Sequence, residues 1–171
     1  MSSFSFPIGT LEAQPEQPRA EQIEAIAQLP AQLLAAVSGL SDEQLDTPYR
    51  PGGWTVRQLV HHVADSHMNG YIRWRLALTE NNPTIKPYDQ AAWAELPDAA
   101  QEPIEVSLRL LDSVHQRWSV LLRALPDEAF ERTYQHPEMG SQTLLQSLAN
   151  YAWHGRHHVA HVTELRKRLE W

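Results

Sequence analysis

The 171-residue chain contains no cysteine, and that absence removes several chemistries at once. Without thiols the protein forms no disulfide, offers no thiolate ligand to a metal and has no cysteine nucleophile. No apolar run approaches the roughly 20 residues of a transmembrane helix. The start, Met1-Ser-Ser-Phe-Ser-Phe-Pro, lacks the basic segment and apolar core of a secretory signal. We therefore expect a cytoplasmic protein that does not associate with membranes.

Positive charge is also scarce. The chain has 14 basic and 21 acidic residues, which gives a net charge of −7. Binding to nucleic acid or to an anionic membrane would need a basic stripe, and none is present. We therefore expect no nucleic-acid partner and consider small-molecule substrates instead.

Helical composition and periodicity dominate the rest of the chain. Residues 1–18 carry several prolines and should form an extended arm. No convincing strand pattern or internal repeat is visible. Residues 80–103 are expected to form a long connection with only a short helix at Asp89–Leu96. The sequence therefore predicts an all-α four-helix bundle, a single domain over residues 1–171. Its long helices are expected at residues 19–40, 55–78, 104–125 and from 143 to near the C-terminus.

Local signals define some of these helix boundaries. Two capping boxes, Thr55-Val-Arg-Gln58 and Thr143-Leu-Leu-Gln146, mark the starts of the second and fourth long helices. Pro30 lies inside the first one, where its ring clashes with the preceding turn. We therefore expect that helix to split into two collinear or kinked pieces, near residues 19–29 and 30–38.

Histidines form two clusters, and the denser one lies in the last helix. Residues four apart share a helix face. The last helix therefore offers two imidazole pairs, His154 with His158 and His157 with His161, each suited to one metal ion. A catalytic zinc site uses three protein ligands and one open position, so a third ligand must come from the other cluster. Periodicity alone does not choose between the pairs, or between His61 and His62. The clusters are His154, His157, His158 and His161, and His61, His62 and His67.

Such a site could support more than one reaction. A metal on three histidines lowers the pKa of bound water toward ~7, and it could equally activate a thiolate. The zincin motif HExxH is excluded by Gly155, and no ExxH motif of di-iron bundles occurs. Asp65, three residues after His62, is the nearest carboxylate that could orient a ligand or move a proton. His115 and His136 are interpreted as hydrogen-bonded core or surface residues.

Two long segments resemble a known family. Tyr49-Arg-Pro-Gly-Gly-Trp-Thr-Val-Arg-Gln-Leu-Val-His-His-Val-Ala-Asp-Ser-His-Met-Asn69 and Trp153-His-Gly-Arg-His-His-Val-Ala-His-Val-Thr-Glu-Leu165 are similar to the YfiT branch of the DinB-like superfamily. The resemblance implies a four-helix DinB bundle, often a homodimer, with one zinc or nickel ion per chain. It assigns the ligands to His62, His154 and His158. Four other histidines would then support the ligands, line the pocket or lie at the surface: His61, His67, His157 and His161.

The resemblance implies an enzyme but leaves its reaction open. Family members are named metal-dependent hydrolases largely by resemblance, which implies a three-histidine site that activates water. Related enzymes resemble S-transferases that join low-molecular-weight thiols such as bacillithiol, mycothiol or glutathione to electrophiles. Both reactions need the same three histidines and an open position. A non-catalytic metal-binding stress-response bundle and a metal-free interaction protein are further alternatives.

Overall fold

The computed structural model describes residues 5–171, so the first four residues of the predicted arm lie outside the described residues. The rest of the arm includes a 3₁₀ turn at Leu11–Ala13. The indole Nε1 of Trp153 donates to the carbonyl of Gly9 at 3.2 Å. The arm therefore lies against the last long helix, as a surface-hugging segment would.

Four long helices form a bundle, which confirms the predicted all-α architecture. They pack in the order α1, α6, α3, α7, and α7 also contacts α1 to close the ring. None of the helices in residues 5–171 is long and apolar enough to cross a membrane. In chain order the elements are α1 (Arg19–Val37), α2 (Asp42–Leu45), α3 (Val56–Thr79), α4 (Gln90–Ala94), α5 (Pro97–Gln101), α6 (Ile104–Ala124), a 3₁₀ turn (Asp127–Glu131), β1 (Thr133–His136), β2 (Gly140–Thr143) and α7 (Leu144–Leu169).

Both predicted capping boxes are present. The Thr55 hydroxyl accepts from the amide of Gln58 at 3.1 Å, and the Gln58 side chain accepts from the Thr55 amide at 3.0 Å. The same reciprocal pair joins Thr143 and Gln146 at 3.1 and 2.9 Å. Each box satisfies backbone donors that a helix start leaves without partners. These caps therefore fix where α3 and α7, the helices that carry the two histidine clusters, begin.

The predicted break at Pro30 is wrong, because α1 continues through it from Arg19 to Val37. A proline at this position has no N–H to donate to the carbonyl one turn back, which belongs to Ile26. That carbonyl accepts a hydrogen bond from His115 Nδ1 at 2.6 Å instead. A donor from α6 thus replaces the missing helical hydrogen bond.

The expectation that the chain has no strands is also wrong in detail. β1 and β2 form an antiparallel hairpin with Thr133 opposite Thr143 and His136 opposite Gly140. Gly140 has a φ of +74°, which glycine adopts without strain. The strands are only four residues long, too short for an alternating pattern to stand out. The hairpin carries the chain from α6 into the cap of α7.

The connection before α6 also differs from its prediction. The single short helix expected at Asp89–Leu96 is two helices, α4 with Asp89 as its N-cap and α5 starting at Pro97. Trp93 of α4 is half-buried and packs on Tyr88 with ring centroids 4.4 Å apart. Both short helices contact α3, so this segment covers that helix.

The bundle core has two apolar halves separated by histidines. The first half includes Leu111 and Val162, and the second includes Trp118 and Tyr151. In chain order His115 falls between the halves on α6, and the α7 histidines fall between them on α7. Five side chains of this region, which we call the imidazole layer, are His62, His67, His115, His154 and His158. The polar middle of the core is where the site lies.

Candidate metal centre

Three histidines of the imidazole layer converge on one point. His154 Nε2 lies 3.4 Å from His62 Nε2 and 3.2 Å from His158 Nε2. One ring nitrogen of each residue lies within 4.8 Å of the other two. A tetrahedral zinc ion with Zn–N distances of about 2.05 Å separates its ligand nitrogens by roughly 3.3 Å. The separations of His154 Nε2 from His62 Nε2 and from His158 Nε2 match this spacing.

Helix geometry explains why these rings meet. His154 and His158 are one turn apart on α7, and His62 faces them from the adjacent α3. Gly155 lies between His154 and His158 in the chain, and a Cβ there would come within 2.6 Å of Leu29 Cδ2. The glycine therefore allows α7 to pack closely on α1. His62 packs on Trp54, with ring centroids 4.6 Å apart.

Burial keeps all three rings neutral. Desolvation lowers the pKa of His62 to about 4. Desolvation, followed by the charges of neighbouring histidines, puts the pKa values of His154 and His158 well below the ordinary value. Neutral imidazole is the form that binds a metal. The three side chains are therefore ready to act as ligands at neutral pH.

A chain of hydrogen bonds leads from His154 into the core. His154 Nδ1 lies 3.1 Å from His67 Nε2. His67 Nδ1 lies 3.0 Å from His115 Nε2, and His115 Nδ1 donates to the carbonyl of Ile26. His115 is thus the hydrogen-bonded core residue that was predicted. The contact between His67 and His154 was not resolved by sequence reasoning, because helix periodicity does not show which neighbouring helix a side chain meets.

The remaining clustered histidines are buried but do not take part in this series of hydrogen bonds. His61 donates from Nε2 to the Glu102 carbonyl at 3.1 Å, and its Nδ1 lies 2.7 Å from Ser107 Oγ. His157 and His161 face each other with 3.0 Å between their Nε2 atoms. Each also packs on an aromatic ring, of Trp153 and Tyr49 respectively. Both i, i+4 pairs predicted on α7 therefore exist, but only one of them meets α3.

Two cavities flank the converging histidines, and both are lined by His154 and Gln90. The smaller, of about 340 Å³, also borders His62 and His158. The larger, of about 650 Å³, has a polar wall. We call the larger one the Arg73 cavity; its wall includes Ser66, Arg73, Tyr88, His136, Asn150 and Tyr151.

Hydrogen-bond donors are prominent in the Arg73 cavity. Arg73 Nε is buried without a hydrogen-bond partner, and its guanidinium forms no ion pair within residues 5–171. Desolvation raises the pKa of the Tyr151 phenol, which keeps it protonated. His136 Nδ1 accepts from the amides of Glu138 and Met139, so its neutral ring carries the proton on Nε2.

Asp65 lies near this region but lines neither cavity. Desolvation, and secondarily the charge of Asp98, raises its pKa to about 6. Its charge also acts on Tyr88, which does line the Arg73 cavity. The carboxyl therefore titrates near pH 6 and lies outside both cavity walls.

Comparison with known proteins agrees with this architecture. The family model described as the DinB superfamily matches residues 25–162, a stretch that contains all three converging histidines. The chain belongs to the DinB superfamily. The resemblance predicted from the sequence is thereby confirmed.

Individual members of the DinB superfamily are similar over the full length. A protein of Bacillus cereus strain B4264 is 54% identical over 176 aligned positions, covering 100% of both chains, and a protein of Bacillus thuringiensis subsp. konkukian is 53% identical over the same coverage. Both carry the name "Putative metal-dependent hydrolase".

Solved structures show the same fold. YfiT from Bacillus subtilis, described as a probable metal-dependent hydrolase with an unusual four-helix bundle topology, is 47% identical, covers 99% of both chains and superposes with a TM-score of 0.93. TT2238, a four-helix bundle protein, is 22% identical, covers 90% of this chain and 98% of its own, and has a TM-score of 0.58. The second likeness concerns the fold alone.

Proposed function

We propose that this protein is a metal-dependent hydrolase that holds one divalent ion on His62, His154 and His158. The observation that carries the proposal is the spacing of the three neutral, buried ring nitrogens. Their position between two cavities gives a substrate access to the site. The names of the curated relatives support the same class of reaction.

The donor set fits a divalent ion. His154 Nε2 has one lone pair at most, yet it faces two other ring nitrogens. A cation at the centre would satisfy all three nitrogens together. Imidazole ligands without thiolates suit zinc and nickel, the two metals we propose. Three protein ligands leave an open coordination position, at which the ion would lower the pKa of a water molecule toward neutrality.

The chain's own side chains would bind and orient the substrate. We assign the substrate's polar or anionic part to the Arg73 cavity, because Arg73, the Tyr151 phenol and His136 Nε2 are donors there. Asp65 remains our candidate for moving a proton, since its pKa of about 6 lets it exchange one near neutral pH. Because Asp65 lines neither cavity, this transfer would pass through a water molecule or a neighbouring hydroxyl.

Thiol transfer is the second candidate, and one observation favours it. Two separate cavities share His154 and Gln90, an arrangement that suits a reaction between two substrates. A thiol would occupy one cavity and an electrophile the other. Thiolate binding to a cobalt-substituted site adds an intense near-ultraviolet charge-transfer band, which distinguishes the two candidates.

The first experiment counts metal ions. Zinc or nickel should bind at one ion per chain, and His62→Ala, His154→Ala and His158→Ala should each weaken binding strongly. His136→Ala, in the wall of the Arg73 cavity but outside the ligand set, is the matched control and should retain the ion. Full retention by His154→Ala would refute the assignment.

The second experiment separates the reactions. Cobalt-loaded protein is titrated with bacillithiol, glutathione and simple thiols, and zinc-loaded protein is assayed on a panel of esters and amides. Hydrolysis with no thiolate band supports the proposal. A saturable thiolate band, together with thiol transfer and no hydrolysis, would replace it with the second candidate.

A further inference from the structure

A continuous chain of hydrogen bonds crosses all four long helices. It starts at His154 on α7, passes through His67 on α3 and His115 on α6, and ends at the Ile26 carbonyl on α1. The three links measure 3.1, 3.0 and 2.6 Å. His67 and His115 are 0% and 1% exposed, so water does not offer them alternative partners. We call this set the histidine relay.

The carbonyl at its end fixes the direction of every link. A carbonyl oxygen only accepts, so His115 Nδ1 carries a proton and donates it. In a neutral ring the other nitrogen is then an acceptor, so His115 Nε2 accepts from His67 Nδ1. By the same step His67 Nε2 accepts from His154 Nδ1. The last nitrogen, His154 Nε2, is left with a lone pair and no proton, and it is the atom that faces His62 and His158.

Pro30 explains why the Ile26 carbonyl is available. Inside a helix this carbonyl would accept from the N–H of residue 30, but proline has none. The relay therefore ends on an acceptor that the helix itself leaves without a donor. A proline that looks like a helix breaker in the sequence supplies the anchor of the relay.

We propose that His67 and His115 are positioning residues that hold His154 in its Nδ1–H tautomer before any metal arrives. His154 then presents Nε2 to the ion without first moving its proton. The inference rests on the proposed metal site. His158 provides the contrast, because its buried Nδ1 has no hydrogen-bond partner among the described residues. A fixed partner on the second ring nitrogen of a ligand typically changes metal affinity by about 10–100-fold.

Nuclear magnetic resonance reads the tautomers directly. Long-range ¹H–¹⁵N correlations are recorded on metal-free, ¹⁵N-labelled protein at pH 7.5. We expect His115, His67 and His154 each to be protonated on Nδ1 and unprotonated on Nε2. Protonation of His154 on Nε2 in the metal-free protein would overturn the proposal, and this measurement needs no variant.

Variants then test whether the relay acts on the metal. His115→Phe removes the last imidazole of the relay while filling a similar volume, and it should release His154 into a mixture of tautomers and weaken zinc binding about tenfold. His115→Gln should keep most of the His154 Nδ1–H tautomer and most of the zinc affinity, because the glutamine amide can accept from His67 and donate to the Ile26 carbonyl. The control is Ser147→Ala, which removes the buried hydrogen bond from Trp74 Nε1 and should alter neither readout.

The outcomes separate this proposal from the metal site itself. A wild-type protein that takes up no zinc, nickel or cobalt would refute the proposed function, while the metal-free tautomers still decide whether the relay exists. Normal zinc affinity in folded His115→Phe, with His154 still on Nδ1–H, would refute the positioning role and leave the metal site intact.

Discussion

The metal-free protein should unfold in mild acid, because its buried histidines resist protonation. Burial lowers the pKa of His115 and His157 to about 4 and that of His161 to about 3. In the unfolded chain the same groups titrate near ~6.5. Below that pH the unfolded state binds more protons than the folded state, so stability falls as pH falls. The loss continues until each folded-state pKa is reached.

The magnitude follows from the number of such groups. At pH 5.5 a histidine that stays neutral only when folded costs about 1.4 kcal/mol. If seven titrate independently, the sum is about 10 kcal/mol, and half of it would equal the stability of a marginal domain. Unfolding between about pH 5 and 6 is therefore expected. The seven are His62, His67, His115, His154, His157, His158 and His161.

Urea unfolding in the presence of a chelator, followed by circular dichroism, measures how the free energy of unfolding changes with pH from pH 7.5 to 5.0. The slope of that dependence gives the number of protons taken up on unfolding. His161→Gln should reduce this number by about one, because it removes one titrating group. Ser147→Ala should shift the whole curve without changing its slope. Added zinc should hold the folded state to lower pH until protons displace it from the ligands. An unfolding free energy that is constant between pH 7 and 5.5 would refute the reasoning.

Three further predictions concern single side chains. Asp65→Asn should stabilise the protein by about 1 kcal/mol at pH 7.5. The raised pKa of this half-buried carboxyl means that folding disfavours its ionised form, progressively from about pH 4 to 6 and fully above. An unchanged or lower urea midpoint would contradict this. Gly70→Ala should lower the free energy of unfolding by about 1–3 kcal/mol, since the added Cβ would overlap the Tyr151 ring. Helix propensity alone predicts that the same change stabilises the protein. A rise in melting temperature would therefore contradict the overlap, and a fall would support it. Binding of the dianion glutarate and of its neutral diamide, glutaramide, is compared by calorimetry. Arg73→Gln should abolish the preference for glutarate, whereas a change at the exposed Arg75, two residues further along α3, to Gln should keep that preference. Equal binding of both probes by the wild type would refute the anionic subsite.

Much of the fold was predictable because its signals are local. The capping boxes at Thr55 and Thr143 depend on side chains three residues apart, and helix periodicity spans one or two turns. The hairpin was missed because its four-residue strands are too short to display alternation. The break expected at Pro30 failed because the compensating donor, His115, lies 89 residues away in the chain.

The site was predictable only in part, for the same reason. Spacing on α7 gave two equivalent histidine pairs, and the family resemblance rather than geometry favoured His154 and His158. The structure brings that pair together with His62, while His157 and His161 pack among aromatic rings. No spacing rule links His67 to His115, since their contact depends on how α3 packs against α6.

The imidazole layer also means that this protein carries its site at the expense of its own core. Five polar rings occupy positions where leucine or phenylalanine would join the two apolar halves into one continuous interior. Replacing all five with apolar side chains of similar volume would remove five of the seven groups behind the acid sensitivity and, by the usual opposition of stability and activity, yield a more stable bundle with no site. A directed-evolution screen for thermal tolerance alone would therefore select against the chemistry, and such a screen on this scaffold has to select for metal retention as well.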